Sequence, residues 1–151
     1  MKLGQFLSGA AQAPTKAISF PVVGVNGQGV KSRATARAVF AFVDEHQRAE
    51  ALRDAHAYLA RLYVDKDGTP LQVPPRRRDE EETYQVLFRA LRDADDPDQP
   101  FAETMLALRH ALVDQVADQL ARAYRKWVDE EFPDSITRDK FDELVAEAEG
   151  K

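Results

Sequence analysis

The sequence predicts an α+β fold, predominantly helical, in which an N-terminal β-hairpin is followed by a helical bundle with one long C-terminal helix. Three observations carry that expectation. Alternating apolar residues stand on either side of an Asn26-Gly27 pair, a combination that suits a tight hairpin turn. Asp44 and Gln47 have the three-residue spacing of a helix capping box. From Phe101 to Trp127, apolar residues return in steps of three and four, the period of one helical face.

Residues 1–16 are rich in Gly, Ala and Gln and read as a flexible N-terminal arm, leaving 17–151 as a single domain. Within it, 17–43 form the hairpin and 44–151 the helical part. Ile18, Phe20 and Val22 share one face of a first strand over Ala17–Val25. Pro21 places that strand at a sheet edge, because it has no N–H to give to a ladder. After a turn over Asn26–Gly29, the second strand runs from Arg33 to Val43, with Ala34, Ala36, Ala38, Phe40 and Phe42 on one face. Alanine's helix preference competes there, but the alternation is long and Asp44 starts a helix of its own.

That helix runs to about Val64, with Ala51, Leu52, Ala55, Leu59 and Leu62 as its buried stripe. Asp65–Thr69 form a turn around Asp67-Gly68, and Leu71–Val73 pair briefly before Pro74 and Pro75 break the chain. Three arginines, Arg76–Arg78, give way to four acids, Asp79–Glu82. The acids suit the positive end of a helix, so the next one is expected over Asp79–Asp93. A loop dense in Asp and Pro covers Asp95–Pro100. The long helix then spans Phe101–Phe132, stopped by Pro133. Ser135 or Thr137 caps a last short helix to about Glu149, with Phe141, Leu144 and Val145 facing inward.

Length gives the long helix a further meaning. At about 1.5 Å per residue, Phe101–Phe132 would extend roughly 48 Å. A compact chain of this size has a diameter of roughly 38 Å. Such a helix would protrude or cross a subunit boundary, so a homo-oligomer is expected. Its stripe of Leu108, Leu112, Val116, Leu120, Tyr124 and Trp127 is then the expected partner-binding surface.

Composition narrows the chemistry. The chain is 44% apolar and 31% charged, as folded domains are, and its net charge of −5 argues against a general nucleic-acid binder. It has no cysteine, which excludes disulfides, thiolate metal sites and cysteine nucleophiles. No apolar run approaches the roughly 20 residues that span a bilayer, so the expected compartment is the cytoplasm, with no membrane partner. The Gly24–Ser32 segment imitates a phosphate-binding loop. However, Val30 intrudes between the last glycine and Lys31, and only six residues separate Ser32 from Val39, too few for the required helix. Asp65-Lys66-Asp67-Gly68 imitates a calcium loop, yet the frame set by Gly68 puts Tyr63 and Pro74 at ligand positions. His46, His56 and His110 lack metal-ligand spacing, while His110, Asp114 and Asp118 fall at successive turns of the expected helix and read as a solvated face. No catalytic, cofactor-binding or metal-binding residue is expected.

A specific function enters through the second half of the chain. Leu120-Ala-Arg-Ala-Tyr124-Arg-Lys-Trp127-Val-Asp-Glu-Glu-Phe132-Pro133 is followed by Ile136-Thr137 and Phe141-Asp-Glu-Leu144. This pattern resembles the close of the tail assembly chaperones of long-tailed (siphovirus-like) bacteriophages, and the charged, alanine-rich Glu45–Tyr63 segment fits the same family. The resemblance covers about half the chain. It implies a non-catalytic protein that coats the tape measure protein, recruits tail tube subunits and leaves the finished tail. The competing class is a structural head–tail connector or minor tail protein retained in the virion. A small bacterial adaptor ranks third and an enzyme last.

Overall fold

The computed structural model describes residues 14–25 and 31–132. Most of the expected N-terminal arm, the Asn26–Gly29 turn and the final helix after Ser135 lie outside the described residues. The elements in order are β1 (Lys16–Val25), β2 (Lys31–Phe40), α1 (Glu45–Leu62), α2 (Pro75–Ala90), β3 (Leu91–Asp93), α3 (Met105–Ala111) and α4 (Asp114–Glu131). The fold is mixed α+β and predominantly helical, as the sequence predicts.

The three strands form one antiparallel sheet in the order β1-β2-β3. Its register sets Phe20 opposite Ala36 and Ile18 opposite Ala38, so the small alanines of β2 leave room for the bulky side chains of β1. Phe20, Ala38 and Phe40 are buried, and Ile18, Val22 and Ala36 pack against the same cluster. The sheet covers Tyr84, Leu87 and Ala90 from α2, Leu108 from α3, and Val116, Leu120, Tyr124 and Trp127 from α4. Phe40 anchors the contact, its ring centroid 5.5 Å from Tyr124 edge-on and 6.1 Å from Trp127 in a stacked arrangement. Phe42 leaves the strand pattern and stacks on Phe132 at 4.6 Å. The Val43 N–H, also past the end of β2, donates 2.9 Å to the Tyr124 hydroxyl.

Asp44 then caps α1 with both bonds of the capping box, Gln47 N–H to Asp44 Oδ1 at 2.8 Å and Asp44 N–H to Gln47 Oε1 at 3.1 Å. α1 packs on α2 through Ala51, Ala55 and Leu59, two methyls and one larger side chain, which lets the helices approach closely. Its C-terminal turn is closed by Asp65, whose carboxylate accepts the N–H groups of Asp67 and Thr69 at 2.9 and 2.8 Å. Gly68 supplies the positive φ of 80° that this turn requires. The expected brief pairing near Leu71 is the closing contact of the same turn, a Val64–Pro70 bridge with Leu71 N–H donating to the Tyr63 carbonyl at 2.8 Å.

Three expectations need correction. The helix expected over Asp79–Asp93 runs Pro75–Ala90 instead. Proline at the first helical position outweighs the acids, because its missing N–H and fixed φ suit that site. Arg76–Arg78 therefore sit in the first turn, where the helix dipole disfavours them, and Glu80 offsets this by pairing with Arg76 at 3.3 Å and Arg77 at 2.9 Å. The last three residues expected in that helix are β3, which takes Leu91 opposite Phe40.

The largest correction concerns Phe101–Phe132, which is not one helix. α3 is capped by Thr104, whose hydroxyl accepts from Ala107 N–H at 3.1 Å, and it ends at Ala111. Leu112 and Val113 are extended (ψ 130° and 155°) before α4 begins. The spacing explains the break. Leu108, Leu112, Val116, Leu120 and Tyr124 stand four apart, and at about 100° per residue the stripe would drift by about 160° around an unbroken helix. The extended pair resets the phase so that all five reach one core. With α4 only 18 residues long, about 27 Å, the length argument for a homo-oligomer lapses.

Among the described residues the Val43 N–H has the Tyr124 hydroxyl as its partner, and both residues are buried. Tyr124→Phe should destabilise the fold by about 1–3 kcal/mol, the cost of an unmet buried donor. Leu108→Ala should cost about 2–5 kcal/mol. Urea unfolding reads both as a lower midpoint at unchanged slope. A Tyr124→Phe midpoint equal to wild type would mean that the bond does not contribute.

Candidate partner-binding groove

The stripe expected to bind a partner lies inside the molecule. Leu108 is fully buried, and Leu112, Val116, Leu120, Tyr124 and Trp127 are at most 8% exposed. The physical reason is the phase reset at Leu112-Val113, which turns the whole stripe onto the chain's own sheet and α2. As folded, none of the six is available to another molecule. His110, Asp114 and Asp118 likewise no longer share one helix. Asp114 opens α4 and accepts the Tyr84 hydroxyl at 2.9 Å. Residues 26–30 of the phosphate-loop look-alike lie outside the described residues. The calcium-loop look-alike is the Asp65 turn, with its first carboxylate engaged by backbone.

Two of the concave features on the described surface lie between helices. The first, about 210 Å³, lies between α2 and α4 and is walled by Asp79, Glu80, Asp114 and Asp118, with Arg76 at its edge. Two of its carboxylates are already engaged, Glu80 with arginines and Asp114 with Tyr84. Burial, together with the hydrogen bond to that carboxylate, pushes the Tyr84 hydroxyl well above its usual value.

The second is larger, about 430 Å³, and lies where α1, α2 and α3 meet. α1 contributes Asp54, Ala57, Tyr58 and Arg61; α2 contributes Gln85, Phe88 and Arg89; α3 contributes Met105, Leu106 and Arg109. A polar chain runs beneath it. Arg109 makes a two-pronged pair with the carboxylate of Glu81, which is 1% exposed. Gln85 donates to Glu81 at 3.2 Å and accepts from Arg89 at 3.0 Å, and Arg89 pairs with Asp54 at 2.6 Å. The Arg109 guanidinium also lies 4.2 Å over the ring of Tyr58. Its bonds to Glu81 raise the Arg109 pKa above the usual guanidinium value, outweighing the opposite effect of burial.

Above this network the groove is apolar, with Phe88 and Met105 half-buried and Leu106 exposed by 62%. Sequence reasoning missed Leu106. A signal was present, since Leu106 stands two residues from the buried Leu108, on the opposite side of a helix. The Glu81–Arg109 pair had no such signal, because 28 residues separate its members.

Among the described residues no helix is long and apolar enough to cross a membrane, and no cluster of His, Asp and Glu could hold a metal ion. The fold and groove describe an α+β domain with an open, cation-edged apolar surface. Comparison with protein-family models, curated proteins and solved structures finds no match to this chain.

Removing one member of the buried pair strands the other. Arg109→Met should destabilise by about 3–5 kcal/mol, whereas the double variant Glu81→Met/Arg109→Met should recover most of that loss. Equal stability of the single variant and wild type in urea would show that water already solvates Glu81.

The Tyr84 hydroxyl gives the fold a pH signature. Its folded pKa lies above the unfolded value, so its stabilising contribution is complete below the unfolded pKa of about 10 and is lost as pH rises beyond it. Stability should therefore fall above pH 10 less steeply in Tyr84→Phe than in wild type, and parallel slopes would contradict this.

Proposed function

We propose that the chain is a tail assembly chaperone of a long-tailed bacteriophage, acting without catalysis in the host cytoplasm. It binds the tape measure protein, holds that protein's long apolar helices in solution, and recruits tail tube subunits. The observation that carries the reading is the Leu120–Pro133 segment, with its aromatic-acidic-proline close, and the Phe141-Asp-Glu-Leu144 run that follows.

The molecule's surface suits the job. A chaperone of this kind needs apolar contact area outside its own core. Leu106, 62% exposed, stands in one groove with the half-buried Phe88 and Met105 and supplies such area. A net charge of −5 limits self-aggregation while such residues stay open to solvent.

Co-expression tests the proposal. The tape measure protein of the same phage should be soluble and co-purify with this chain, and should aggregate without it. Equal solubility in both cases with no recoverable complex would sink the reading. Stoichiometric recovery of the chain from finished virions would favour the structural alternative, a connector or minor tail protein.

A further inference from the structure

We propose that the groove between α1, α2 and α3 is a docking site for an acidic amphipathic helix of a partner protein. The proposal is argued from the groove itself and goes beyond the chaperone reading, since it concerns the chemistry of the occupant.

The walls are three helices, so they present side chains and no free backbone edge. An extended strand laid there would leave its own N–H and C=O groups without ladder partners, whereas a helix satisfies them internally. The wall from Asp54 to Arg61 is about 10 Å long, the length of two helical turns. Contact with about two turns means apolar anchors at i, i+4 and i+7, which Phe88, Met105 and Leu106 would receive.

Charge selects the sign of the occupant. The lining carries Arg61, Arg89 and Arg109 against Asp54, on a chain whose net charge is −5. Arg89 and Arg109 have their partners in Asp54 and Glu81. Arg61 has no ion pair among the described residues and stands exposed in the last turn of α1. A helix with carboxylates flanking its apolar stripe complements this edge, while a basic helix would meet like charge. The floor is preorganised, because Arg109 is held by Glu81 on one side and the Tyr58 ring on the other. Little ordering remains to be done on binding.

The probe is an alanine-rich helical peptide with Leu at i, i+4 and i+7 and Glu on either side, compared with the same peptide carrying Lys for Glu. Labelled peptides are titrated with the full chain by fluorescence anisotropy. The acidic peptide should bind at least tenfold more tightly than the basic one. Leu106→Asp should weaken it at least tenfold, and Arg61→Glu should reverse the preference. Both side chains are exposed, so both variants should fold, which circular dichroism checks. Failure of both peptides to bind, equal binding of the two, or indifference to both substitutions overturns the proposal. So does a wild-type dimer in sedimentation that Leu106→Asp dissociates, since the occupant would then be a second copy. A favourable peptide result beside a failed co-expression would keep the groove and remove the tape measure protein as its partner.

Discussion

Phe40 is fully buried at the last position of β2, against Tyr124 and Trp127 of α4, and three other elements take their positions from that contact. Three residues after β2 ends, the Val43 N–H donates to the Tyr124 hydroxyl, a bond spanning 81 residues of sequence. Asp44 follows at once and caps α1, so the point where the chain turns into its first helix is fixed by the fourth. On the other side of β2, Phe40 faces Leu91, and the Ala41 N–H donates to the Ala90 carbonyl at 2.8 Å. The end of α2 is thereby tied to the same place. An aromatic cluster of this kind has the area to stabilise and the shape to specify, because its edge-on and stacked rings fit one arrangement better than others.

A second, polar constraint places what the aromatic one leaves free. α3 has only seven residues, too few to hold together without tertiary support. Leu108 is buried and Met105 packs half-buried against the same core, and Glu81 adds a directional constraint by holding Arg109 in one orientation. A buried ion pair gains little over well-packed apolar residues, since desolvation offsets most of the attraction. Its consequence here is positional: pairing Arg109 inward and under Tyr58 turns Leu106 outward, and the groove follows from that rotation.

What was legible in the sequence follows the range of each interaction. The hairpin could be read because alternation in Ile18-Phe20-Val22 and Ala34 to Phe40 is local, and the start of α1 because its capping box closes within four residues. The start of α2 follows Pro75 rather than the four acids, because a fixed φ at the first helical position is the stronger local constraint. The break at Leu112-Val113 has neither glycine nor proline to mark it. Its trace was the run of four-residue steps, whose drift only a bend can correct, together with Thr104 as a cap. β3 left no signal, being three residues that form a strand only because β2 offers them an edge. The groove was illegible for the same reason, as its walls come from three separate helices.

The misplacement of the expected binding surface has a general cause. In a small domain, an amphipathic helix has one apolar face, and the core takes it first. α4 shows this, with Val116, Leu120, Tyr124 and Trp127 all covered by the chain itself. A surface meant for a partner must therefore be built from apolar residues that fall out of phase with the buried stripe. Leu106 is such a residue, since two positions at about 100° each set it about 200° around the helix from Leu108. Val113, in the extended break between helices, is another, exposed by 49%. Exposed apolar side chains set singly on a surface carry no meaning of their own. Leu106 differs because it stands above a half-buried floor of Phe88 and Met105, beside an arginine that has no ion-pair partner among the described residues. Apolar contact there would supply affinity and Arg61 would supply discrimination by charge, two terms that respond differently to salt.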